Sequence, residues 1–187
     1  MREALRFWVQ KKRITWQDLW WLVRRIRGIT RDRSGKWYWY LEHQYQSDHF
    51  EIRLLRFPGL TDHAFLRNNA GWTSVGVRSD NDPSVWMIFD VQVLEDYRRR
   101  GIGTLLVRAA LHLARRHGAR ALHGMVTLDD ARKHPFLPDW YAHLGFIVQR
   151  IPEPVPLPLF TVGITIATFW MDLTPDERRL TSQDAQS

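Results

Sequence analysis

The segment from Val85 to Leu128 constrains the fold most, because its hydrophobic period changes twice. Val85–Leu94 has strand character, and Leu105–Ala114 then carries apolar residues at helical spacing. Ala121–Leu128 is strand-like again, so the segment predicts a strand–helix–strand crossover. Two glycines, Gly101 and Gly103, lie in the loop between the first strand and the helix. A crossover of this kind predicts an α/β (α+β) fold with a mixed sheet.

The rest of the chain adds mainly strands and turns to this unit. Ile14–Arg27 predicts a helix that ends at Gly28, and Ala4–Val9 is either a first strand or part of the same helical region. Lys36–Tyr45 and Phe50–Phe57 are expected to be strands that form a hairpin around Ser47 and Asp48, and Gly71–Arg78 is expected to be a further strand. Pro138–Leu144 is expected to be a helix, and Phe146–Arg150 and Ile164–Leu173 are expected to form a closing strand pair. The alternating prolines after Ile151 predict extended backbone that cannot be a central strand.

Composition favours one folded domain and an anionic partner. The chain has 187 residues, 44% of them hydrophobic, which suits a single domain over residues 1–174 followed by a disordered tail over 175–187. No apolar run approaches the length of a membrane span. The net charge of +7 comes mostly from arginine, which either favours a nucleotide or nucleic-acid partner or reflects genomic base composition. The absence of cysteine favours a reducing, cytoplasmic setting.

The glycine loop has two interpretations on physical grounds. Glycines let the backbone approach a ligand closely, and free amides at the start of a helix attract an anion, so the loop is a candidate pyrophosphate site. The alternative is a simple tight turn. Neither a Walker sequence nor a three-glycine dinucleotide motif is present.

Two motifs in this region resemble those of the GNAT superfamily of N-acetyltransferases. Arg98-x-x-Gly101-x-Gly103 is similar to its acyl-CoA-binding signature, and Trp140–Phe146 (WYAHLGF) is similar to a Phe-Tyr-x-x-Leu-Gly-Phe segment of the family. The strong part of the resemblance covers Val85–Val148. It implies a mixed, mostly antiparallel central sheet, splayed at the cofactor site and flanked by helices, with acetyl-CoA between the strand ending at Leu94 and the strand beginning near Ala121.

The resemblance also implies roles for individual residues. Backbone groups of Val91, Gln92 and Val93 would bind the pantetheine arm and the acetyl carbonyl. The pyrophosphate would be held by the Arg98 side chain and by the amides of Arg99, Arg100, Gly101, Ile102, Gly103 and Thr104. Tyr141 would protonate the departing thiolate; the alternative is a half-buried aromatic that anchors its helix. The family's asparagine position falls on either Asp130 or His134, which indicates an insertion between Leu128 and Trp140.

The residue that deprotonates the acceptor amine is not identified by a motif. Asp90 is the first candidate, because an acidic residue at the start of a mostly apolar strand is unusual and indicates a functional role. The alternative is a solvated carboxylate without a catalytic role. Glu42 and His43 are weaker candidates. The eight histidines have no metal-ligand spacing, so we expect no metal.

Two functions remain open on this evidence. The first is N-acetyl transfer from acetyl-CoA to a primary amine by direct attack, the acceptor being a small molecule, a protein or an aminoacyl-tRNA. The second is a catalytically silent module of the same fold that binds a partner, tRNA or another RNA. Arginines between Arg24 and Arg33 and the aromatic strand from Trp37 favour the second, although packed aromatics and a solvated charged face are the more common explanations of these two features. A homodimer through the last strand or the proline segment is compatible with the need to cover a sheet edge.

Overall fold

The computed structural model describes residues 24–46, 48–56, 69–77, 82–156 and 164–174, with the side chains of 153–156 excepted. Within these residues the strands are β1 (Ile26–Arg31), β2 (Trp37–Gln46), β3 (His49–Arg56), β4 (Asn69–Val77), β5 (Val85–Val93), β6 (Ala121–Thr127), β7 (Ile147–Pro156) and β8 (Ile164–Asp172). The helices are α1 (Ile102–Arg116), α2 (Leu128–Lys133) and α3 (Leu137–His143).

These strands form one mixed sheet in the order β1-β2-β3-β4-β5-β6-β8-β7. The pairing of β5 with β6 is parallel, whereas β1–β2, β2–β3, β3–β4, β6–β8 and β7–β8 pair antiparallel. The predicted α/β class with a mostly antiparallel sheet and flanking helices is therefore confirmed.

The chain divides into two compact units. The first holds the described residues of Met1–Gly76 and Ile88–His112, and the second those of Val77–Met87 and Leu113–Ser187. The predicted single domain over 1–174 stays a prediction, and the predicted tail at 175–187 lies outside the described residues, as does the segment Ala4–Val9.

The first unit contains β1 to β3, β4 up to Gly76, β5 from Ile88 onward and most of α1. Alternate residues of β2 and β3 enter its core, so that Tyr38, Ile52 and Leu54 are fully buried. The helix packs on β4 at Gly71, where a Cβ would lie 3.2 Å from Leu106 Cδ1 and would also collide with the carbonyl of Gln92. A side chain at position 71 is therefore excluded by the close approach of α1 and β5.

The second unit contains the first three residues of β5, the end of α1, and β6, β8 and β7 with α2 and α3. β5 pairs with β6 at three positions, ending at Met87↔His123. Leu122, Val126 and Phe169 form the centre of its core. β7 is the edge strand of the sheet order, and its pairing with β8 is irregular between Arg150 and Val155. The prediction that the prolines after Ile151 are extended and not in a central strand is confirmed over the described part of that segment.

One prediction was wrong. Only Arg24 and Arg25 of the predicted helix are helical among its described residues, because β1 begins at Ile26 and pairs with β2, with Gly28 opposite Tyr40. Backbone bonds to β2 outweigh the local helical pattern at this edge. The other predicted strands and helices within the described residues are confirmed to within a few residues, and α2 was not predicted.

Candidate functional site

The segment Arg98–Thr104, which we call the phosphate loop, connects β5 to α1. A 3-10 turn at Glu95–Tyr97 precedes it. The first backbone bond of α1 runs from Leu105 N–H to the Gly101 carbonyl at 3.0 Å, so the amides just before Leu105 have no acceptor within the helix. The first turn of α1 carries no acidic residue. Free amides, the helix dipole and a first helical turn without a carboxylate together fit a bound phosphate.

Backbone conformation gives this loop its curvature. Gly101 has a φ of 82°, in the left-handed region that favours glycine, and Arg99 has a φ of 60° without that advantage. Arg99 is the one non-glycine residue with positive φ among the described residues. Such conformations persist where the surroundings fix them and are often found at binding sites.

Tyr97 and Arg100 anchor the phosphate loop on the side that faces the core. Tyr97 is buried and meets Tyr38 edge-on, with ring centroids 6.2 Å apart. The Arg100 guanidinium lies 5.6 Å from the centre of the Tyr97 ring, and its side chain also hydrogen-bonds to Tyr38. The Arg100 side chain therefore faces the core, which leaves its backbone amide as the group able to meet a phosphate.

The turn between β1 and β2, residues 32–36, supports the same loop. Asp32 Oδ1 accepts bonds from the backbone N–H and hydroxyl of Ser34 and from the N–H of Lys36, at 2.7–2.9 Å. Its Oδ2 accepts a bond of 2.8 Å from the Tyr38 hydroxyl. The Arg33 N–H then donates to the Arg100 carbonyl at 3.0 Å. The Asp-x-Ser-Gly pattern of residues 32–35 is the sequence signal for such a turn.

The protonation of this pair follows from its burial and its hydrogen bonds. Burial raises the pKa of Asp32, but the bonds from Ser34, Tyr38 and Lys36 outweigh it and hold that pKa below its usual value. Burial first, and then the Asp32 carboxylate, raise the pKa of Tyr38 to about 12, against a smaller opposing effect of Arg100. At neutral pH the pair is a carboxylate and a neutral phenol.

The predicted cofactor strand is the end of β5. Val91 and Val93 are half-buried and Gln92 is exposed. The Asp90 carbonyl accepts a bond of 2.6 Å from the Thr73 hydroxyl on β4, and its carboxylate accepts one of 2.9 Å from the Gln92 side chain. Asp90 is thus partly exposed, with its carboxylate bonded to a residue of its own strand rather than to a cation.

The residues predicted to bind the pyrophosphate, Arg98 through its side chain and Arg99 to Thr104 through their amides, differ in exposure. Arg98 is exposed, and its Nε donates to the Val93 carbonyl at 3.3 Å, which ties the loop back to β5. Arg99 is exposed, Ile102 is buried, and Gly103 and Thr104 are half-buried. All residues predicted for the cofactor, together with Asp90, belong to the first unit.

Tyr141 belongs to the second unit and is buried in an aromatic cluster. Its ring stacks on Phe169 of β8 with centroids 3.7 Å apart and planes 14° apart. Phe146 meets both rings edge-on, and Trp140 contacts Tyr141 from within α3. These contacts fix the ring orientation through packing on three sides, whichever role the hydroxyl has.

Asp130 and His134 occupy the predicted insertion, whose first part is α2. Thr127 begins that helix: its hydroxyl accepts the Asp130 N–H at 3.2 Å and donates to the Asp130 carboxylate at 2.6 Å. His134 ends the helix and its ring lies 5.8 Å from Phe136. Asp130 therefore has a capping role, which an aspartate three residues after a threonine indicates.

Glu42 and His43, the weaker base candidates, both contact arginines. The buried Glu42 carboxylate accepts bonds of 2.6 Å from the Tyr40 hydroxyl and 3.3 Å from Arg27 Nε. Arg25 Nε donates to His43 Nδ1 at 3.2 Å. The described residues contain no group of three or more potential ligands arranged for a metal ion. Among the same residues, no helix has the length and apolar character needed to cross a membrane.

One family model and several solved structures are similar to this chain. Residues 16–146 match the model of the acetyltransferase (GNAT) family. A putative GNAT acetyltransferase from Desulfovibrio desulfuricans is similar in structure, with a TM-score of 0.52, 14% identity, and coverage of 68% of this chain and 70% of that one.

Two further solved structures have the same fold. A nourseothricin acetyltransferase has a TM-score of 0.51 at 18% identity, over 80% of this chain and 85% of that one. A GCN5-related N-acetyltransferase from Kribbella flavida has a TM-score of 0.50 at 17% identity, over 70% and 71%. A search of curated proteins finds no significant match. At these identities the structural neighbours establish the fold alone.

Proposed function

The chain belongs to the acetyltransferase (GNAT) family, and on that basis we propose that it transfers the acetyl group of acetyl-CoA to a primary amine. The observation that carries this proposal is the phosphate loop at the start of α1. Its positive-φ residues Arg99 and Gly101 and its free amides suit a diphosphate, and the loop lies directly after the strand on which the family places the acyl group.

Each residue then has a definite task. The amides of Arg99 to Thr104 and the Arg98 side chain bind the pyrophosphate, and backbone groups of Val91, Gln92 and Val93 orient the acetyl end. Asp90 accepts a proton from the acceptor ammonium, and the free amine then attacks the thioester carbonyl carbon. As the tetrahedral intermediate collapses and the carbon–sulfur bond breaks, Tyr141 donates its phenolic proton to the departing thiolate. The nitrogen of the new amide loses its extra proton through solvent, which restores the Tyr141 phenol, and Asp90 releases its proton to solvent.

The support for Tyr141 comes from chemistry and from packing. A phenolic hydroxyl is a group that can act as general acid and protonate a departing thiolate. Stacking on Phe169 restricts the ring to one orientation, which a proton donor requires. No metal is needed for direct attack on a thioester.

The acceptor is defined here only as a primary amine. A small-molecule amine, a protein amine and the amino group of an aminoacyl-tRNA all satisfy the mechanism, and the net charge of +7 favours an acidic acceptor. Since acetyl-CoA is the donor, we place the reaction in the cytoplasm.

Titration calorimetry with acetyl-CoA tests the proposal. We expect binding at about 100 μM or below, within the usual range of Michaelis constants, and release of free thiol when a suitable amine is added. Absence of binding would reject the assignment. Binding of CoA without thiol release over a broad panel of small, peptide and aminoacyl-tRNA amines would instead favour the catalytically silent module.

A further inference from the structure

Arg33 lies in the β1–β2 turn, far from the family motif in sequence, yet it contacts the phosphate loop. Its backbone N–H donates to the Arg100 carbonyl at 3.0 Å. Its side chain then runs over Gly101, where a Cβ would lie 3.2 Å from Arg33 Cγ and 3.4 Å from Arg33 Nε. The stem of Arg33 therefore occupies the space beside Gly101, and the guanidinium Nε is next to the loop.

Two observations indicate that this guanidinium is available to a ligand. Arg33 is exposed, and in the described part of the chain no carboxylate lies within ion-pair distance of it. The adjacent carboxylate of Asp32 is directed to Ser34, Lys36 and Tyr38 instead.

The arginines of the loop itself are placed differently. The Arg100 side chain contacts Tyr38 and Tyr97 on the core side, and Arg98 donates its Nε to Val93. The turn thus places the exposed Arg33 guanidinium beside the phosphate loop, where the Arg100 side chain faces the core instead.

We propose that Arg33 is a further ligand of the CoA phosphates, held over Gly101 by the β1–β2 turn. The inference rests on the proposed function, since it assumes that CoA occupies the phosphate loop. A guanidinium can donate two parallel bonds to phosphate oxygens, which suits either the pyrophosphate or the 3′-phosphate of CoA. The Asp32–Tyr38 bond is then the support that keeps the turn, and with it Arg33, in place.

Binding of CoA to the full chain by calorimetry tests this without an acceptor. We expect Arg33→Gln to raise the Kd for CoA about fivefold, as for one solvent-exposed charge-assisted contact, and Arg33→Lys to raise it less. Arg108→Gln is the matched control, because it removes an exposed arginine from α1 outside the phosphate loop, and its Kd should equal that of the wild type. Melting temperatures within about 2 °C of the wild type would verify that both variants fold.

The outcomes separate this inference from the function itself. If the wild type binds CoA and Arg33→Gln binds it equally well, or if Arg108→Gln loses as much affinity, the role of Arg33 is rejected and the proposed function stands. If the wild type does not bind CoA, both fail. Dephospho-CoA locates the contact: a fivefold loss that persists with it assigns Arg33 to the pyrophosphate, and a loss that disappears assigns it to the 3′-phosphate.

Discussion

Gly124 and Phe169 lie directly opposite each other on β6 and β8, and the Phe169 ring occupies the space that a Cβ at position 124 would need. The same ring stacks on Tyr141. A glycine on a central strand thus makes room for the aromatic residue against which the candidate proton donor packs. The position of Tyr141 depends on a residue that carries no side chain.

Gly124→Ala should destabilise the protein by about 1–3 kcal/mol, because the added methyl group overlaps the Phe169 ring in a packed core. Chemical denaturation measures the loss. Gly28→Ala is the control: nothing lies within 4 Å of its Cβ position, so a change within about 0.5 kcal/mol is expected. The double variant Gly124→Ala/Phe169→Leu should lose less stability than the two single variants lose in sum, because the smaller side chain leaves space for the methyl group. Losses that simply add would contradict the proposed clash.

Tyr141→Phe should lower kcat about 100-fold or more and leave the Kd for CoA unchanged, because the phenolic proton acts only as the thiolate departs. Thiol release with any amine that the wild type acetylates measures kcat, and calorimetry measures the Kd. Tyr45→Phe removes an exposed hydroxyl on β2 and should leave kcat unchanged. Equal turnover by Tyr141→Phe and wild type would restrict Tyr141 to an anchoring role.

Asp90→Asn should reduce kcat about 100-fold with little effect on CoA affinity, because the amide cannot accept the ammonium proton. The substitution keeps the shape of the side chain and an oxygen able to accept the bond from Gln92. Asp96→Asn, at an exposed acid in the turn before the phosphate loop, is the control and should have full activity. Full turnover by Asp90→Asn would reject Asp90 as the base and leave Glu42, His43 or a water chain as the candidates.

Tyr38→Phe should destabilise the fold at neutral pH, and the difference from the wild type should shrink between pH 10 and pH 12. The pKa of Tyr38 is about 12 in the folded protein and near 10 when unfolded, so the folded state holds the proton more tightly. The stabilisation is complete below pH 10 and is lost as pH rises through 12, up to roughly 3 kcal/mol. Denaturation of both proteins from pH 8 to 12 measures it; a constant difference would disprove this linkage.

Elements whose sequence has a clear local pattern were predictable. Elements whose structure depends on pairing with residues far along the chain were not. The aromatic alternation from Trp37, the proline-limited edge strand and the change to helical period at α1 are local signals, and they match β2, β7 and α1. Ile26 and Gly28 also lie in a helical pattern, but they form β1 because β2 offers backbone partners. That competition cannot be judged from one segment alone.

The candidate site divides in the same way. The sequence by itself determined that a glycine loop joins a strand to a helix, which predicts free amides at the helix start, and the resemblance of a second motif pointed to Tyr141. Only the tertiary structure showed that Arg33 and Asp32 support that loop, and that Gly124 admits Phe169 beneath Tyr141. The physical reason is that strand register and ring packing bring together residues far apart in the chain, and no local periodicity encodes which residues will meet.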